Sequence, residues 1–555
     1  MLEYPLGAGR QITRVISVGS VKMGGLEPIV LQSMLTSSAQ NLSKAMEEIR
    51  LLDQAGAQLI RLSIPTKKEL DAIGPLRQQM AKEGISRPLV ADVHFSPSLA
   101  TACVPWFEKV RINPGNFSDD PKKTTLSSFD LETFSEGREQ FLEALRPFAE
   151  AVVKYQRAVR VGVNQGSLSQ RMMARYGDSP LGMVESALET IELLESLGVK
   201  ELVVSLKSSN PLVVLKAYRL LVQRRSPKEA LPLHLGVTEA GDGLMGRIKS
   251  LSGIGPLLYD GLGATIRVSL TEASQHEIAF GEQLLESLQD RLHSSNETTG
   301  YWKRPLLHRR ASEQASVLGS LELGAQSPVK LFGGPCPDLE FDGHLAKAEG
   351  GFLNEEGTLL PLVSKLGNNR KENGPVICDL SSPVMELRAY FAQIDEMSAP
   401  VGLLVDQVWL DSLKGKVELS CLLAEGLVDF LVLPELKPEN IEPFKLLLQA
   451  TRTRIYVTDY IACPSCARTL FDLESTTDKI RRKTDHLKGV KIGIMGCIVN
   501  GPGEMADADF GYIGSGPGKV DLYRGQDQVS RNIPEVDAVD ALIQLIKDSN
   551  SWVDP

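Results

Sequence analysis

The sequence lacks the features that mark several large classes of protein. No run approaches the ~18 consecutive apolar residues that a helix needs to cross a bilayer. The N-terminus has neither the basic start and apolar core of a secretory signal nor the Arg/Ser-rich composition of a transit peptide, so we expect a cytoplasmic protein. The net charge is −10, with 60 Lys+Arg against 70 Asp+Glu, which excludes a general attraction to nucleic acid or to anionic lipid.

Cysteine is also scarce, because the 555 residues contain seven. An odd and sparse count argues against a disulfide framework. Three cysteines are grouped near the end of the chain, at Cys463, Cys466 and Cys497. The other four are isolated, and we expect them to be small core residues: Cys103, Cys336, Cys378 and Cys421.

The remaining composition is that of an ordinary soluble globular protein, with 42% hydrophobic, 23% charged and 6% aromatic residues. A length of 555 residues predicts about three or four domains.

One pattern recurs eight times between residues 28 and 270: a short β-branched apolar run ends in polar residues, and a longer segment follows. Leu42–Gln54, one of these longer segments, has its apolar residues at helical spacing. Eight strands alternating with helices over ~250 residues predict a (β/α)8 TIM barrel, and the first strand is not followed by the G-x-G-x-x-G of a doubly wound sheet. The predicted strands are Pro28–Met34, Ala57–Ile64, Pro88–His94, Lys109–Asn113, Ala158–Asn164, Glu201–Ser208, Leu233–Glu239 and Ala264–Leu270.

The rest of the chain predicts two further α/β regions. A turn-rich linker at 293–300 separates the barrel from a region with four predicted strands and two helices. We therefore predict a substrate-binding barrel over residues 1–285, an α/β insert over 286–452, and an α+β domain with the grouped cysteines over 453–555. A strand over Arg454–Tyr460 is expected to lead to Cys463, and Asn116–Glu139 is expected to be a polar loop near the active site.

The grouped cysteines predict a metal centre. Cys463 and Cys466 form a C-x-x-C pair, and Cys497 follows another predicted strand after thirty intervening residues. Structural zinc needs four closed ligands, and His486 is the one histidine nearby. A [4Fe–4S] cluster accepts three thiolates with a different ligand on its fourth iron, and Glu504 is a candidate for that position. Zinc and an iron–sulfur cluster both remain open on this pattern alone.

The carboxyl ends of barrel strands form the active site of this fold. Cationic side chains at these ends outnumber the acids, which favours a compact polyanion such as a diphosphate. Glu239 is the exceptional carboxylate, and it is either a proton donor or the partner of an arginine. The polar residues at or near the strand ends are Arg61, Asp92, His94, Arg111, Asn113, Arg160, Asn164, Lys207, His234, Glu239, Arg267 and Ser269.

Several segments resemble the (E)-4-hydroxy-3-methylbut-2-enyl diphosphate synthase family over about residues 10–285 and 452–555. The middle region looks like the insert of the three-domain, plant-type members. Gln165 stands where the family often has alanine. The matching segments include Val90-Ala91-Asp92-Val93-His94-Phe95, Arg111-Ile112-Asn113-Pro114-Gly115-Asn116, Val237-Thr238-Glu239-Ala240-Gly241, Cys463-Pro464-Ser465-Cys466 and Gly496-Cys497-Ile498-Val499-Asn500-Gly501-Pro502-Gly503-Glu504.

The resemblance implies reductive ring opening of 2-C-methyl-D-erythritol 2,4-cyclodiphosphate in isoprenoid biosynthesis. It implies a [4Fe–4S] cluster held by Cys463, Cys466, Cys497 and Glu504, with Glu239 managing a proton. The substrate is expected to bind Arg61, Arg111, Arg160, Lys207, Arg267 and His234, with His94, Asn113, Asn164 and Ser269 around it.

The resemblance also implies two electrons from reduced ferredoxin or flavodoxin. Lys479–Lys483 is either a docking patch for this acidic donor or a solvated helix face. A homodimer with a shared site and a single chain that closes on itself both remain open. Two other functions are weighed as alternatives: a barrel enzyme of the dihydropteroate synthase type and a zinc-stapled binding protein.

Overall fold

The structure is a computed structural model. Within the part of the chain that it describes, no helix is long and apolar enough to cross a membrane. The side chain of Glu504 and a few other side chains at segment ends lie outside the description. The structure describes residues 4–554 except 7–8, 94–95, 119–130, 294–299, 303–315, 319–320, 324–327, 334–338, 365–374, 394–399, 464–468, 499–500 and 506.

Eight parallel strands form the predicted barrel, and all eight lie within the predicted runs. The sheet order is β10-β11-β4-β5-β6-β7-β8-β9, and a bridge between Val204 and Leu233 joins its two edges. The TIM-barrel prediction is therefore confirmed. The first eleven strands are β1 Tyr4–Leu6, β2 Ile16–Val18, β3 Val21–Met23, β4 Val30–Met34, β5 Leu59–Ser63, β6 Leu89–Asp92, β7 Lys109–Ile112, β8 Ala158–Asn164, β9 Leu202–Lys207, β10 His234–Leu235 and β11 Thr265–Ile266.

Helices follow the barrel strands. The predicted helix Leu42–Gln54 is confirmed with the same bounds: the Asn41 side chain caps it, and Met46, Ile49 and Leu52 are buried along one face. The expected loop over Asn116–Glu139 is wrong at both ends, because α5 ends at Ser118 and α6 begins at Leu131. The helices are α1 Leu42–Gln54, α2 Lys67–Asp71, α3 Ile73–Lys82, α4 Pro97–Cys103, α5 Pro114–Ser118, α6 Leu131–Tyr155, α7 Gln170–Tyr176, α8 Pro180–Ser196, α9 Pro211–Arg224, α10 Gly243–Tyr259, α11 Gln275–Ser287 and α12 Gln289–Leu292.

The β2–β3 hairpin closes the amino-terminal end of the barrel. Its apolar residues Ile16, Val18 and Met23 are at most 1% exposed. They form one cluster with the first inward residues of the barrel strands, including Val30 and Leu59. This cluster therefore fills the amino-terminal end of the barrel with apolar side chains.

The middle region contains a seven-stranded sheet in the order β15-β21-β20-β19-β18-β17-β16. Phe332 of the edge strand β15 and Phe430 of the adjacent β21 pack edge to face, with their ring centroids 5.7 Å apart. Arg388 is buried between Glu425 and Asp260, and the ion pair with Asp260 measures 2.8 Å. The elements are β12 Gly300–Trp302, β13 Ser316–Leu318, β14 Leu321–Leu323, β15 Lys330–Gly333, β16 Ala346–Ala348, β17 Gly351–Leu353, β18 Leu359–Val363, β19 Val376–Cys378, α13 Pro383–Gln393, β20 Val401–Leu404, α14 Gln407–Asp411, α15 Leu413–Glu425, β21 Phe430–Leu433 and α16 Pro438–Ala450.

The last region contains a five-stranded sheet in the order β22-β23-β24-β25-β26. The expected strand Arg454–Tyr460 begins only at Asp459, so that prediction was wrong by five residues at its start. The elements are β22 Asp459–Ala462, α17 Leu473–Thr484, β23 Lys491–Met495, α18 Gly501–Glu504, β24 Phe510–Gly516, β25 Lys519–Arg524, β26 Asp527–Pro534 and α19 Glu535–Asp548.

The chain divides into two compact units. One unit comprises residues 1–10, 251–262 and 283–456, and the other comprises residues 11–250, 263–282 and 457–555. The barrel strands and the C-terminal sheet therefore belong to one unit of the same chain. The predicted division at residues 285 and 452 stays a prediction.

Candidate active site

Six cationic side chains point into the barrel, and none is more than 8% exposed. The register pairs Asp92 with Arg111 and Arg111 with Arg160 across neighbouring strands, which places them on one face of the sheet. The six are Arg61, Lys109, Arg111, Arg160, Lys207 and Arg267. The buried acids near them are Asp92, Glu277 and Glu239, so the cations are in excess.

Asp92 pairs with three of the arginines. The Arg61 Nη2 lies 2.6 Å from Asp92 Oδ2, and the Arg111 Nη1 and Arg160 Nη2 lie 3.3 Å and 3.9 Å from Asp92 Oδ1. A single carboxylate therefore holds three guanidinium groups in place, and it compensates only part of their charge.

Arg111 is fixed by further contacts. Its Nη2 donates to the carbonyl oxygen of Gly162 at 2.8 Å and lies 3.4 Å from the Asn164 Oδ1. A Cβ on Gly162 would lie 2.5 Å from the Arg111 Nε, so glycine makes room for this arginine. Asn113 donates from its Nδ2 to the Ser167 Oγ at 2.9 Å.

His234 of β10 and Arg160 of β8 meet across the intervening strand β9. The Arg160 Nη1 donates to the Ser205 Oγ at 3.2 Å and lies 3.5 Å from the His234 Nδ1. Burial, with Lys207 and Arg160 nearby, holds the pKa of His234 well below its usual value. The imidazole is therefore neutral near pH 7 and accepts a hydrogen bond from the guanidinium.

The two lysines of the barrel interior have depressed basicity. Burial, followed by the charges of Arg160 and other arginines, holds the pKa of Lys207 and of Lys109 well below the usual value. Among the described residues, the Lys109 Nζ has no hydrogen-bond partner. A Cβ on Gly236 would lie 2.8 Å from the Lys207 Nζ, so glycine leaves the space that this side chain fills.

Arg267 is held from behind by Glu277 of α11. The Arg267 Nε and Nη2 lie 3.1 Å and 3.2 Å from the two carboxylate oxygens of Glu277. The Ser33 Oγ and the Leu270 backbone N–H also donate to this carboxylate. Ser269 is buried two residues after Arg267.

Glu239 lies in the loop after β10 and is 3% exposed. Its φ of +47° is in the left-handed region, which non-glycine residues rarely adopt. The next residue, Ala240, forms a parallel bridge with Ala462, which directly precedes Cys463. This bridge places the loop that carries Glu239 beside the strand that leads to Cys463.

The cysteines Cys463 and Cys497 follow the neighbouring parallel strands β22 and β23 at the same edge of the sheet. The Gly496 backbone N–H donates to the Cys463 Sγ at 3.2 Å, and neither thiol is in a disulfide. Two half-buried thiols at one sheet edge suit a soft metal centre, and an N–H donor to the sulfur is a typical feature of cluster ligands. Cys466, His94 and the side chain of Glu504 lie outside the described residues.

His486 is a poor fourth ligand for zinc. The Thr458 backbone N–H donates to the carbonyl oxygen of Asp485, so His486 lies near the start of β22, at the other end of that strand from Cys463. Its Nε2 lies 2.8 Å from the Val553 carbonyl oxygen. The zinc-stapled alternative is therefore not favoured by this geometry.

The structure brings most of the predicted barrel residues together and adds others. Sequence reasoning missed Lys109, Ser205 and Glu277. The signal for Lys109 was its position two residues before Arg111 on a strand, which puts both on the same face. Glu277 comes from a helix, and its contact with Arg267 depends on tertiary packing. Three of the isolated cysteines, Cys103, Cys378 and Cys421, are buried as expected, and Cys336 lies outside the described residues.

Comparison with known proteins agrees with the sequence motifs. The GcpE TIM-barrel domain matches residues 13–282, and the GcpE protein C-terminal domain matches residues 459–548. A 4-hydroxy-3-methylbut-2-en-1-yl diphosphate synthase (flavodoxin) of Leptospira interrogans is 38% identical, covering 100% of this chain and 99% of the relative. A chloroplastic ferredoxin form from Oryza sativa subsp. japonica is 36% identical, covering 98% of this chain and 88% of the relative.

Among solved structures, dihydropteroate synthase from Xanthomonas albilineans has a TM-score of 0.34 at 14% identity, covering 50% of this chain and 99% of that chain. A likeness of this size carries no argument, and the dihydropteroate synthase alternative is not favoured. The family models and the full-length relatives do decide the family. The chain belongs to the GcpE family of 4-hydroxy-3-methylbut-2-en-1-yl diphosphate synthases, which are ferredoxin- or flavodoxin-dependent oxidoreductases.

Proposed function

We propose that this chain converts 2-C-methyl-D-erythritol 2,4-cyclodiphosphate to (E)-4-hydroxy-3-methylbut-2-enyl diphosphate, with the diphosphate bound inside the barrel. The observation that carries the proposal is the set of six buried basic side chains, which outnumber the buried acids of the same site. Uncompensated buried charge is costly, and a compact dianion or trianion compensates it. An uncharged substrate does not compensate the buried positive charge.

The barrel residues have separate roles in the proposal. Arg61, Arg111 and Arg160 form a fork around Asp92 and present guanidinium N–H groups to the diphosphate oxygens. Lys207 at the end of β9 and Arg267 just after β11 add two further basic groups, and His234 orients Arg160. The remaining predicted contacts, which hydrogen-bond the hydroxyl groups of the sugar-derived carbons, are Asn113, Asn164, Ser269 and His94.

Glu239 manages a proton in this proposal. It is buried and lies in the loop beside the cationic site, and the next residue pairs with the residue that precedes Cys463. A carboxyl group held there is placed to protonate the hydroxyl group that leaves as water.

We further propose that Cys463, Cys466, Cys497 and Glu504 hold a [4Fe–4S] cluster. The described thiols fit it, since both leave one sheet edge and one accepts a backbone N–H bond. When bound, such a cluster supplies electrons singly, and three thiolates leave one iron with an exchangeable ligand. Glu504 ends the short helix Gly501–Glu504, which follows Cys497 closely in the chain.

A reduced ferredoxin or flavodoxin delivers the electrons in this proposal, because the relatives' names specify one or the other. Cytoplasmic location and a homodimer stay predictions. In this proposal both halves of the site come from one chain, which the bridge between Ala240 of the barrel loop and Ala462 supports.

The first experiment is the visible spectrum and metal content of anaerobically purified protein. We expect a brown protein that absorbs near 400 nm, with about four irons and four sulfides per chain. A colourless protein with about one zinc per chain contradicts the cluster and supports the binding-protein alternative. The purified protein is then assayed for reduction of the cyclodiphosphate.

The cluster ligands are tested with Cys466→Ser, which we expect to abolish both the 400 nm absorbance and turnover. The control is Cys103→Ala, which removes a buried thiol on helix α4 and leaves the C-terminal sheet untouched. We expect this control to retain the cluster and most of the activity. Full activity in Cys466→Ser contradicts the proposed ligand set.

A further inference from the structure

The loop after β10 is connected to the C-terminal sheet at two points. The first is the bridge between Ala240 and Ala462. Ala240 directly follows Glu239 in the chain, and Ala462 directly precedes Cys463. The second is Asp242, three residues after Glu239, which pairs with Arg481 of α17. Both contacts lie within the same compact unit of the chain.

Arg481 contacts both the loop after β10 and strand β22. Its Nη1 donates to the Asp242 Oδ2 at 3.0 Å, and its Nη2 donates to the other oxygen of the same carboxylate. The guanidinium carbon also lies 5.2 Å from the ring centroid of Tyr460, which is on β22 two residues before Ala462. A planar guanidinium suits both contacts at once, because it pairs in bidentate fashion and stacks on aromatic faces.

Glu239, next to this junction, has a strained backbone conformation. A non-glycine residue in the left-handed region carries backbone strain, and this conformation persists only where surrounding contacts hold it. The φ of Glu239 is +47°. Two contacts follow it closely in the chain, the bridge at Ala240 and the ion pair at Asp242. These contacts hold the backbone of Glu239 against the strand that leads to Cys463.

We propose that Arg481 is a positioning residue that, through Asp242, fixes the Glu239 loop against strand β22. This inference rests on the proposed function, in which Glu239 and Cys463 serve one reaction. It assigns Arg481 an intramolecular role, whereas its helix neighbours Lys479 and Arg482 are exposed.

A second ion pair connects β22 to the barrel unit independently of Arg481. The Lys249 Nζ lies 2.6 Å from Asp459 Oδ1 and donates to the carbonyl oxygen of Tyr460 at 2.7 Å. Lys249 and Asp459 are both about 3% exposed at their side chains. Loss of Arg481 is therefore expected to free the loop without detaching β22 from the barrel unit.

The test compares Arg481→Gln with Arg531→Gln, the same substitution at an exposed arginine of β26. A small chemical reductant replaces the protein donor, so that donor docking does not contribute. For Arg481→Gln we expect kcat to fall about ten-fold, or about 1.4 kcal/mol, while KM and the cluster absorbance stay within two-fold of wild type. For Arg531→Gln we expect no change in kcat. For Arg481→Lys we expect kcat to recover in part, because the lysine ammonium can form the ion pair but not the bidentate contact.

Hydrogen exchange on the full-length protein as purified gives a readout that does not depend on activity. In Arg481→Gln, amides 237–242 are expected to exchange at least ten-fold faster, while amides of β22 and of the barrel strands stay protected. Unchanged exchange of 237–242, or equal loss of kcat in Arg531→Gln, overturns the inference. If the wild-type protein binds no cluster, the proposed function fails, and the exchange result still decides whether Arg481 fixes the loop.

Discussion

At the scale of single residues, the barrel interior is built to receive an anion. Asp92 and Glu277 orient the arginines but leave cationic charge uncompensated. Burial and the neighbouring cations lower the pKa of both Lys207 and His234. A bound diphosphate favours the protonated forms and raises these pKa values again.

Binding of inorganic pyrophosphate is therefore expected to take up protons, on the order of one per pyrophosphate at pH 7 to 8. The sign follows because the free protein holds fewer protons on Lys207 and His234 than the complex. Calorimetric titration in two phosphate-free buffers of different ionisation enthalpy measures the uptake. Net proton release on binding, after correction for the proton that pyrophosphate itself can lose, contradicts this reading of the site.

Lys207→Ala is expected to weaken pyrophosphate binding about ten- to hundred-fold, the loss of one hydrogen bond to a charged group. It is also expected to reduce the proton uptake while the cluster absorbance stays unchanged. Lys200→Ala, which removes an exposed lysine before β9, is the control and should bind as wild type does. Loss of the cluster in Lys207→Ala means that this lysine has been misplaced.

At the scale of elements, one barrel loop supports the turn that follows Cys497. Gly166, in the loop after β8, has a φ of +76° and meets Gly503 backbone to backbone. A Cβ on Gly166 would lie 1.8 Å from the carbonyl oxygen of Gly503, a distance that no side chain tolerates. Gly503 is also next to Glu504, so this contact fixes the backbone that carries a proposed cluster ligand.

Gly166→Ala is expected to displace the Gly503 turn and to lower turnover at least ten-fold. Gly84→Ala is the matched control, because Gly84 has a φ of +73° and a Cβ added there would meet nothing within 4 Å. Both variants are expected to lose about 1 kcal/mol of unfolding free energy or more from the left-handed backbone. Equal turnover in the two variants, measured beside their thermal stability, rules out a special role for the Gly166 contact.

At the scale of the whole molecule, the chain and its proposed donor carry charge of the same sign. The net charge is −10, so an acidic ferredoxin or flavodoxin needs a local basic surface. The predicted patch on α17 is smaller than the sequence suggested, because Arg481 pairs with Asp242 and Lys483 pairs with Asp540. Lys479 and Arg482 remain exposed on this helix.

Lys479→Glu is expected to lower kcat/KM for the protein donor about three- to ten-fold at low salt, with the difference vanishing at high ionic strength. The quantity to measure is the ratio of donor-driven to chemically driven turnover. Lys488→Glu, with the same change in net charge just before β23, is the control. An equal effect of both substitutions shows that α17 is a solvated face.

Most of the fold was predictable from local pattern. The eight barrel strands lie within eight apolar runs, and the helix Leu42–Gln54 has its predicted bounds. Errors came where local pattern was weak: the sequence did not indicate the β-strands Ala346–Ala348 and Gly351–Leu353 or the helix Leu413–Glu425 of the middle region. The strand before Cys463 starts late, because an apolar run alone does not mark where pairing begins.

The sequence by itself determined the family, the barrel and the identity of most proposed site residues, because strand ends and cysteine spacing are local properties. The tertiary structure decided which charges meet. Glu277 reaches Arg267 from a helix, and Arg481 reaches Asp242 across 239 positions of sequence. The side-chain period of two places Arg111 and Lys109 on one face, but only the pairing of β7 with β8 brings both near Arg160. Pair contacts of this kind depend on packing between elements, and no single segment encodes them.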